Sequence, residues 1–254
     1  MTLALSALAL PLIWFLAPLG LRRLQVRNLS RLCAGRRAII LSYDDGPSPE
    51  VTAALADLLA CHNARATFFV IGNRAEADPA LVARLLADGH EIGNHTQSHL
   101  NAWKTWPLAA VRDLRAGRQT LARLGASPRQ FRPPYGKTTP ATLLDLWANG
   151  EAPAFWTIDT RDSWESPRTV AEVLDMIAQQ GGGVVLMHDF AFAPRRVEDH
   201  RHPEHILRMT AAIIDFAAER NFALLRLSDL HVAGSKTSLQ LLSLIHISEP
   251  TRPY

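Results

Sequence analysis

Over residues 37–232 the chain switches repeatedly between short apolar runs and longer segments whose apolar positions recur every three or four residues. The runs are RAIILSY (37–43), RATFFVI (65–71), HEIGN (90–94), QFRP (130–133), PAFWTID (153–159), GVVLMH (183–188) and FALLRL (222–227). Their length and apolar continuity fit strands buried on both faces. Between them, Pro49 to Ala60 sets Val51, Leu55, Leu58 and Leu59 at helical spacing. Pro79 opens a helix whose Leu81, Leu85 and Leu86 share a face before Gly89 closes it. Leu108 to Leu124, Pro140 to Asn149, Thr169 to Gln180 and Pro203 to Arg220 repeat the pattern. Strict alternation predicts an α/β fold with a parallel sheet and helices outside it. Seven such units point to a distorted (β/α) barrel of about seven parallel strands. A doubly wound sheet is the alternative, because pattern alone does not show closure.

Charge divides the chain unevenly. Residues 1–37 hold six arginines and no acid, whereas the remainder holds 21 basic against 24 acidic residues. The overall charge of +3 therefore belongs to the N-terminal segment, and the globular part gives no support to a nucleic-acid partner. The same segment opens with Thr2 to Leu21, twenty residues without a charge, long enough for a helix to cross a bilayer core. No basic residue precedes that stretch and no A-x-A pattern ends it, so residues 1–35 are expected to form an uncleaved membrane anchor with a basic linker, with a signal peptide or a mis-called start codon as the alternatives. The arginines after the stretch favour a cytoplasmic placement of the domain that follows. Cys33 and Cys61 are expected to be idle thiols.

Residues 233–254 continue none of these patterns. LSLIHISEPTRPY (242–254) reads like the conceptual translation of a transposase adapter used in sequencing libraries and is expected to be adapter-derived. It bears no functional residue in this reading.

Polar clusters stand at the C-terminal ends of the expected strands: SYDDGP, NHTQSH, RPPYG, IDTRD and LMHD. In a parallel barrel those ends share one face, where active sites form. Asp44 and Asp45 are adjacent on a strand end, so their side chains diverge and one can bind a metal while the other faces substrate. His95 and His99, four apart, converge on one ion if a helical turn follows the strand. With Asp45 they make a two-His, one-carboxylate set that suits catalytic Zn²⁺, with Co²⁺, Ni²⁺ or Fe²⁺ as other candidates. His90, within a strand, reads as structural. Arg132 beside a buried carboxylate would keep that acid ionised. Two prolines fix the backbone N–H of Tyr135, which could serve an oxyanion. His188 reads as a general acid, with Asp162 holding its ring as a cation.

These motifs, in this order, resemble the polysaccharide deacetylases of carbohydrate esterase family 4, the NodB homology domain. The resemblance covers about residues 36–232. SYDDGP stands where the family has T-F-D-D-G-P; His95-Thr96-Gln97-Ser98-His99 matches H-[ST]-x-x-H, and Arg132-Pro133-Pro134-Tyr135 matches R-x-P-Y. Leu186-Met187-His188 matches the last motif, L-x-H. The resemblance implies Asp44 as general base and Asp45, His95 and His99 as ligands of a divalent metal. It implies His188 as acid, Arg132 and Asp162 as tuning residues, and Tyr135 as an oxyanion contact. Trp164, Leu186 and Pro134 would touch the substrate. The fourth motif departs from the family's D-x-x-D-W, since Ser163 stands between Asp162 and Trp164. The implied reaction is removal of N-acetyl groups from an N-acetylglucosamine-type glycan at the cell envelope. A deacetylase or deformylase of a lipid-linked amino sugar is the second reading, and a glycan-binding pseudoenzyme the third. The Arg- and His-rich segment 190–202 is expected to face the groove.

Overall fold

The computed structural model describes residues 2–190 and 202–232. The expected adapter-derived tail and most of the groove segment at 190–202 lie outside them. Thr2–Arg36 forms one long helix, α1. The rest alternates as β1 (Ala38–Asp44), α2 (Val51–Cys61), β2 (Thr67–Val70), α3 (Gly72–Ala77), α4 (Pro79–Ala87), β3 (Glu91–Asn94), α5 (Pro107–Arg123) and β4 (Gln130–Phe131). It continues with α6 (Pro140–Ala148), β5 (Ala152–Pro153), β6 (Ile158–Asp159), α7 (Val170–Gln180), β7 (Gly183–His188), α8 (His202–Glu219), β8 (Ala223–Leu224) and α9 (Asp229–Val232). Helix starts follow their capping residues. Asp78 accepts from the Leu81 N–H ahead of Pro79, and Thr139 and Thr169 each form a reciprocal capping box.

All the strand pairs are parallel, in the order β5-β4-β3-β2-β1-β7-β6, with β8 added beside β1. Seven strands laid flat would put the outer two about 29 Å apart. Yet β5 and β6, at opposite ends, are joined by residues 154–157 alone, which span at most about 18 Å. The sheet must therefore curl into an incomplete barrel. This corrects the reading of PAFWTID as one strand. Ala154 donates to Phe131 on one side and Thr157 donates to Val184 on the other, so the run bridges the open seam.

Alternate residues of β1 feed two cores. Ile39, Leu41 and Tyr43 pack outward with α2, α7 and α8, beside Leu55, Ile177 and Ile213. Ala38 and Ile40 point inward to Phe69 and Val184. Leu29 and Cys33 of α1 join that inner cluster, so the end of α1 fills the seam that no strand closes. Arg36 also donates to the Asp229 carbonyl at 2.7 Å. The segment expected as anchor and linker is thus helical, and its later turns are packed on the barrel. Among the described residues no helix is long and apolar enough to cross a membrane.

Candidate active site

Strand register assembles the site. Ser42 and Asp44 lie on the inward side of β1, in step with Leu186 and His188 of β7. Paired residues of neighbouring parallel strands project to the same face, so Asp44 and His188 share the barrel mouth. Asp45, one residue on, has φ 75°, and the turn throws its carboxylate toward β3. There Asp45 Oδ1 stands 3.2 Å from His95 Nε2 and 3.2 Å from His99 Nε2.

The two imidazoles do not converge through a helical turn, as the spacing suggested. Residues 95–99 form a loop with Thr96 at φ 66° and His99 at φ 60°. Asn94 Oδ1 accepts from the Thr96 N–H at 2.9 Å, and Thr96 Oγ1 accepts from the His99 N–H at 2.9 Å. Left-handed conformations cost about 1–2 kcal/mol each outside glycine, and these side-chain bonds hold them. Helix α5 braces the loop from behind: Asn94 Nδ2 donates to the Leu114 carbonyl at 3.1 Å. A Cβ on Gly117 would lie 2.6 Å from the Thr96 carbonyl carbon. Alanine ordinarily outdoes glycine in a helix by about 1 kcal/mol. Here Gly117→Ala should do the opposite, lowering both the melting temperature and zinc affinity; a melt and a zinc titration check it. An unchanged melt with unchanged affinity would mean that α5 does not set the loop.

Ligand atoms of Asp45, His95 and His99 all fall within 4.8 Å of one another. His95 Nδ1 lies 2.6 Å from the Arg132 carbonyl, which fixes the ring and turns Nε2 toward Asp45. Asp45 Oδ1 is buried with no hydrogen-bond partner among the described residues. An orphaned anionic oxygen facing two imidazole nitrogens fits a divalent cation, and its mixed N/O donors fit zinc. Burial pushes Asp45 up, but the close imidazole of His95, with charge from His188 and His99, holds it below the usual carboxylate range. Burial lowers His95 while Asp44 and Asp45 raise it, with a net rise. His99 is pushed down to about 4 by burial and by His95.

Asp44 is held from below. Arg132, fully buried, donates through Nη1 to Asp44 Oδ1 at 2.8 Å and to Ser42 Oγ at 2.9 Å. Its guanidinium lies over the Phe69 ring at 4.0 Å, and its Nη2 has no partner among the described residues. On the other wall, Asp162 grips His188 twice. Oδ2 accepts from the His188 backbone N–H at 2.7 Å, and Oδ1 lies 2.8 Å from Nδ1 of its ring. Burial lowers the His188 pKa, but Asp162, then Asp45 and Asp44, outweigh it and raise the ring to about 10.

The remaining expected residues are spread around this centre. Tyr135, φ 57°, sits in the 3₁₀ turn Pro134–Gly136 and places its ring 4.8 Å from that of His99. Pro134 is buried in the same turn, and Leu186 is buried on the inward side of β7. Trp164 is 59% exposed, stacked by the Arg161 guanidinium at 5.0 Å; no contact joins it to the cluster among the described residues. His90 is buried, its Nδ1 accepting from the Ala66 N–H at 3.2 Å, in keeping with a structural role. Cys33 is buried and Cys61 exposed, both as free thiols.

Sequence reasoning passed over Asp189. It is buried, accepts from the Gly46 N–H at 2.8 Å and from Thr52 Oγ1 at 2.7 Å, and so anchors the turn that carries Asp45. Burial raises it to about 7. The signal was present in LMHD, where only the histidine was assigned. Arg74 was missed as well. It donates to the Asp45 carbonyl, and nothing in the spacing announced it.

Comparison with known proteins agrees with this architecture. The sequence profile of the polysaccharide deacetylase family matches residues 31–151. A chitooligosaccharide deacetylase of Bradyrhizobium sp. (strain ANU 289) is 36% identical over 207 residues, covering 78% of this chain and 92% of that protein. A peptidoglycan-N-acetylglucosamine deacetylase of Bacillus cereus is 35% identical over 156 residues, covering 60% of this chain and 73% of that protein. Among solved structures, a peptidoglycan N-acetylglucosamine deacetylase in complex with 4-naphthalen-1-yl-N-oxidanyl-benzamide superposes with TM-score 0.68. That match has 28% identity and covers 78% of this chain and 89% of the other. The chain belongs to the polysaccharide deacetylase family.

Proposed function

We propose that this protein hydrolyses the acetamido group of N-acetylglucosamine units in a glycan, with chitooligosaccharide, peptidoglycan or exopolysaccharide as substrate and a divalent metal, zinc in the first place, as cofactor. The observation that carries the reading is the flanking of Asp45, His95 and His99 by two ion-paired groups of opposite kind. The Asp44 carboxyl group lies 2.8 Å from the buried Arg132 guanidinium, and the His188 ring lies 2.8 Å from Asp162. A metal held by Asp45, His95 and His99 would supply Lewis-acid polarisation of the amide carbonyl and of the attacking water. Asp44 takes the water's proton; Arg132 keeps its carboxylate oriented for that transfer. The oxygen of the tetrahedral intermediate is met by the Tyr135 N–H. His188 then gives its proton to the departing amine, and Asp162 keeps the ring aimed. Acetate and a free amino sugar leave.

The test is acetate release from N-acetylglucosamine oligomers by the full chain, before chelation, after it, and with Zn²⁺ or Co²⁺ restored. Activity should vanish with the chelator and return with metal. Release that survives complete metal removal would dismiss the cofactor. A zinc-loaded protein inert on every oligomer would dismiss the polymer substrates and favour a lipid-linked amino sugar. Attachment to the cell-envelope membrane rests on the uncharged run Thr2–Leu21 alone. Extraction of the protein by an alkaline carbonate wash would count against it.

A further inference from the structure

The inner face of α1 passes the active-site mouth before it enters the barrel seam. Leu19, Arg22, Arg23, Val26 and Arg27, spaced as one helical face, line a cavity of about 410 Å³ together with Trp156. Arg22 is the link to the site. Its Nη1 donates to the Gly136 carbonyl at 3.4 Å, beside Tyr135, and its guanidinium lies 4.9 Å from the Trp156 ring. That ring also lies 5.8 Å from the Arg132 guanidinium, the group that holds Asp44. Three cationic side chains thus line the α1 wall of a space one residue removed from the catalytic carboxylate. Among the described residues none of the three has a carboxylate within ion-pair distance. Arg22 is half-buried, and its burial pushes its pKa down, offset only by the more distant Asp159. A partly desolvated guanidinium without a counter-ion favours a bound anion. The other walls are Leu19, Val26 and Trp156, and the sequence of α1 before Arg22 carries no charge at all. The site therefore joins fixed positive charge to an apolar approach.

We infer that the cavity between α1 and Trp156 binds the phosphate group of a lipid carrier, so that an N-acetylglucosamine-containing glycan is presented to the active site still attached to that carrier. Guanidinium forks suit phosphate oxygens, and the apolar walls suit the first units of the carrier chain. The inference rests on the deacetylase reading for the reaction, and concerns which glycan is offered to it.

The test is calorimetric titration of the full chain, in a non-ionic detergent, with geranyl diphosphate, inorganic diphosphate and geraniol. Geranyl diphosphate should bind, with affinity at least about tenfold above inorganic diphosphate, and geraniol should not bind measurably. Arg23→Gln with Arg27→Gln should weaken geranyl diphosphate at least about tenfold, the loss of one charge-assisted contact or more. Both positions are exposed, so the core is untouched. Arg31→Gln, on the same helix but not lining the cavity, should leave the affinity as it was. No binding, or equal binding by the double variant, overturns the inference, as does an equal loss in Arg31→Gln. Equal affinity for inorganic and geranyl diphosphate removes the lipid from it. None of these readouts depends on acetate release from neutral oligomers, so failure here is distinct from failure of the deacetylase reading.

Discussion

Arg132→Met should destabilise the protein by about 3–5 kcal/mol, the range for removing one partner of a buried ion pair. For a chain of this size that is a fall of roughly 6–20 °C in melting temperature. The guanidinium is fully buried and contributes bonds to Asp44, Ser42 and the Ala154 carbonyl. Methionine fills similar volume but leaves Asp44, only 4% exposed, without its hydrogen-bonded guanidinium partner, facing only the imidazoles of His95 and His188. The carboxyl group would then lose the bond that orients it toward the attacking water. Activity should fall with stability for that reason. The double variant Asp44→Asn, Arg132→Met removes both charges and should recover at least about 1 kcal/mol of the stability, though none of the activity. A single variant that melts within a degree or two of the parent would show that the pair is not what holds this part of the barrel.

The second large effect concerns His188. His188→Ala should reduce kcat by about 10²–10⁴, the span for a lost general acid, while zinc binding stays near the parental value. Its partner is more informative. Asp162→Asn should bring the His188 pKa down from about 10 toward the ordinary imidazole range, and the alkaline limb of kcat/KM should move down with it. For stability, the folded pKa of His188 lies above its unfolded value of about 6.5, so the cation favours the fold. That contribution is complete below about pH 6.5 and is lost as pH rises through about 10. NMR titration of the His188 ring in metal-free protein checks the value. A ring that titrates near 6.5 with Asp162 in place would sink the assignment of Asp162 as the group that charges it.

Most of the frame was legible because it depends on period alone. The run AIILSYD declares a strand buried on both sides, and both cores are indeed fed by its alternate residues. What period cannot carry is direction. PAFWTID reads as one strand, but its middle residues leave one sheet edge and join the other, a turn fixed by partners more than twenty residues away in sequence. Similarly, α3 and α9 are six and four residues long, too short to establish a repeat. The site was legible as composition at the strand ends. Its geometry was not, because the convergence of His95 and His99 depends on left-handed Thr96 and on Gly117 beneath it. Asp189 escaped because a buried carboxylate that only braces a turn looks, in sequence, like any aspartate after a histidine.

The seam has a mechanical consequence. Elsewhere around the barrel each neighbour is tied by backbone ladder bonds, but at the seam α1 and the crossing residues 154–157 meet mainly through side chains such as Leu29, Cys33 and Trp156. Such a joint can slide or part without breaking a β ladder, so it is the compliant side of an otherwise stiff ring. Tension applied to the front of α1 would be delivered there first, to the turn at Gly136 and the ring of Trp156, both touched by Arg22. A force on the front of α1 would therefore act on the width of the catalytic mouth.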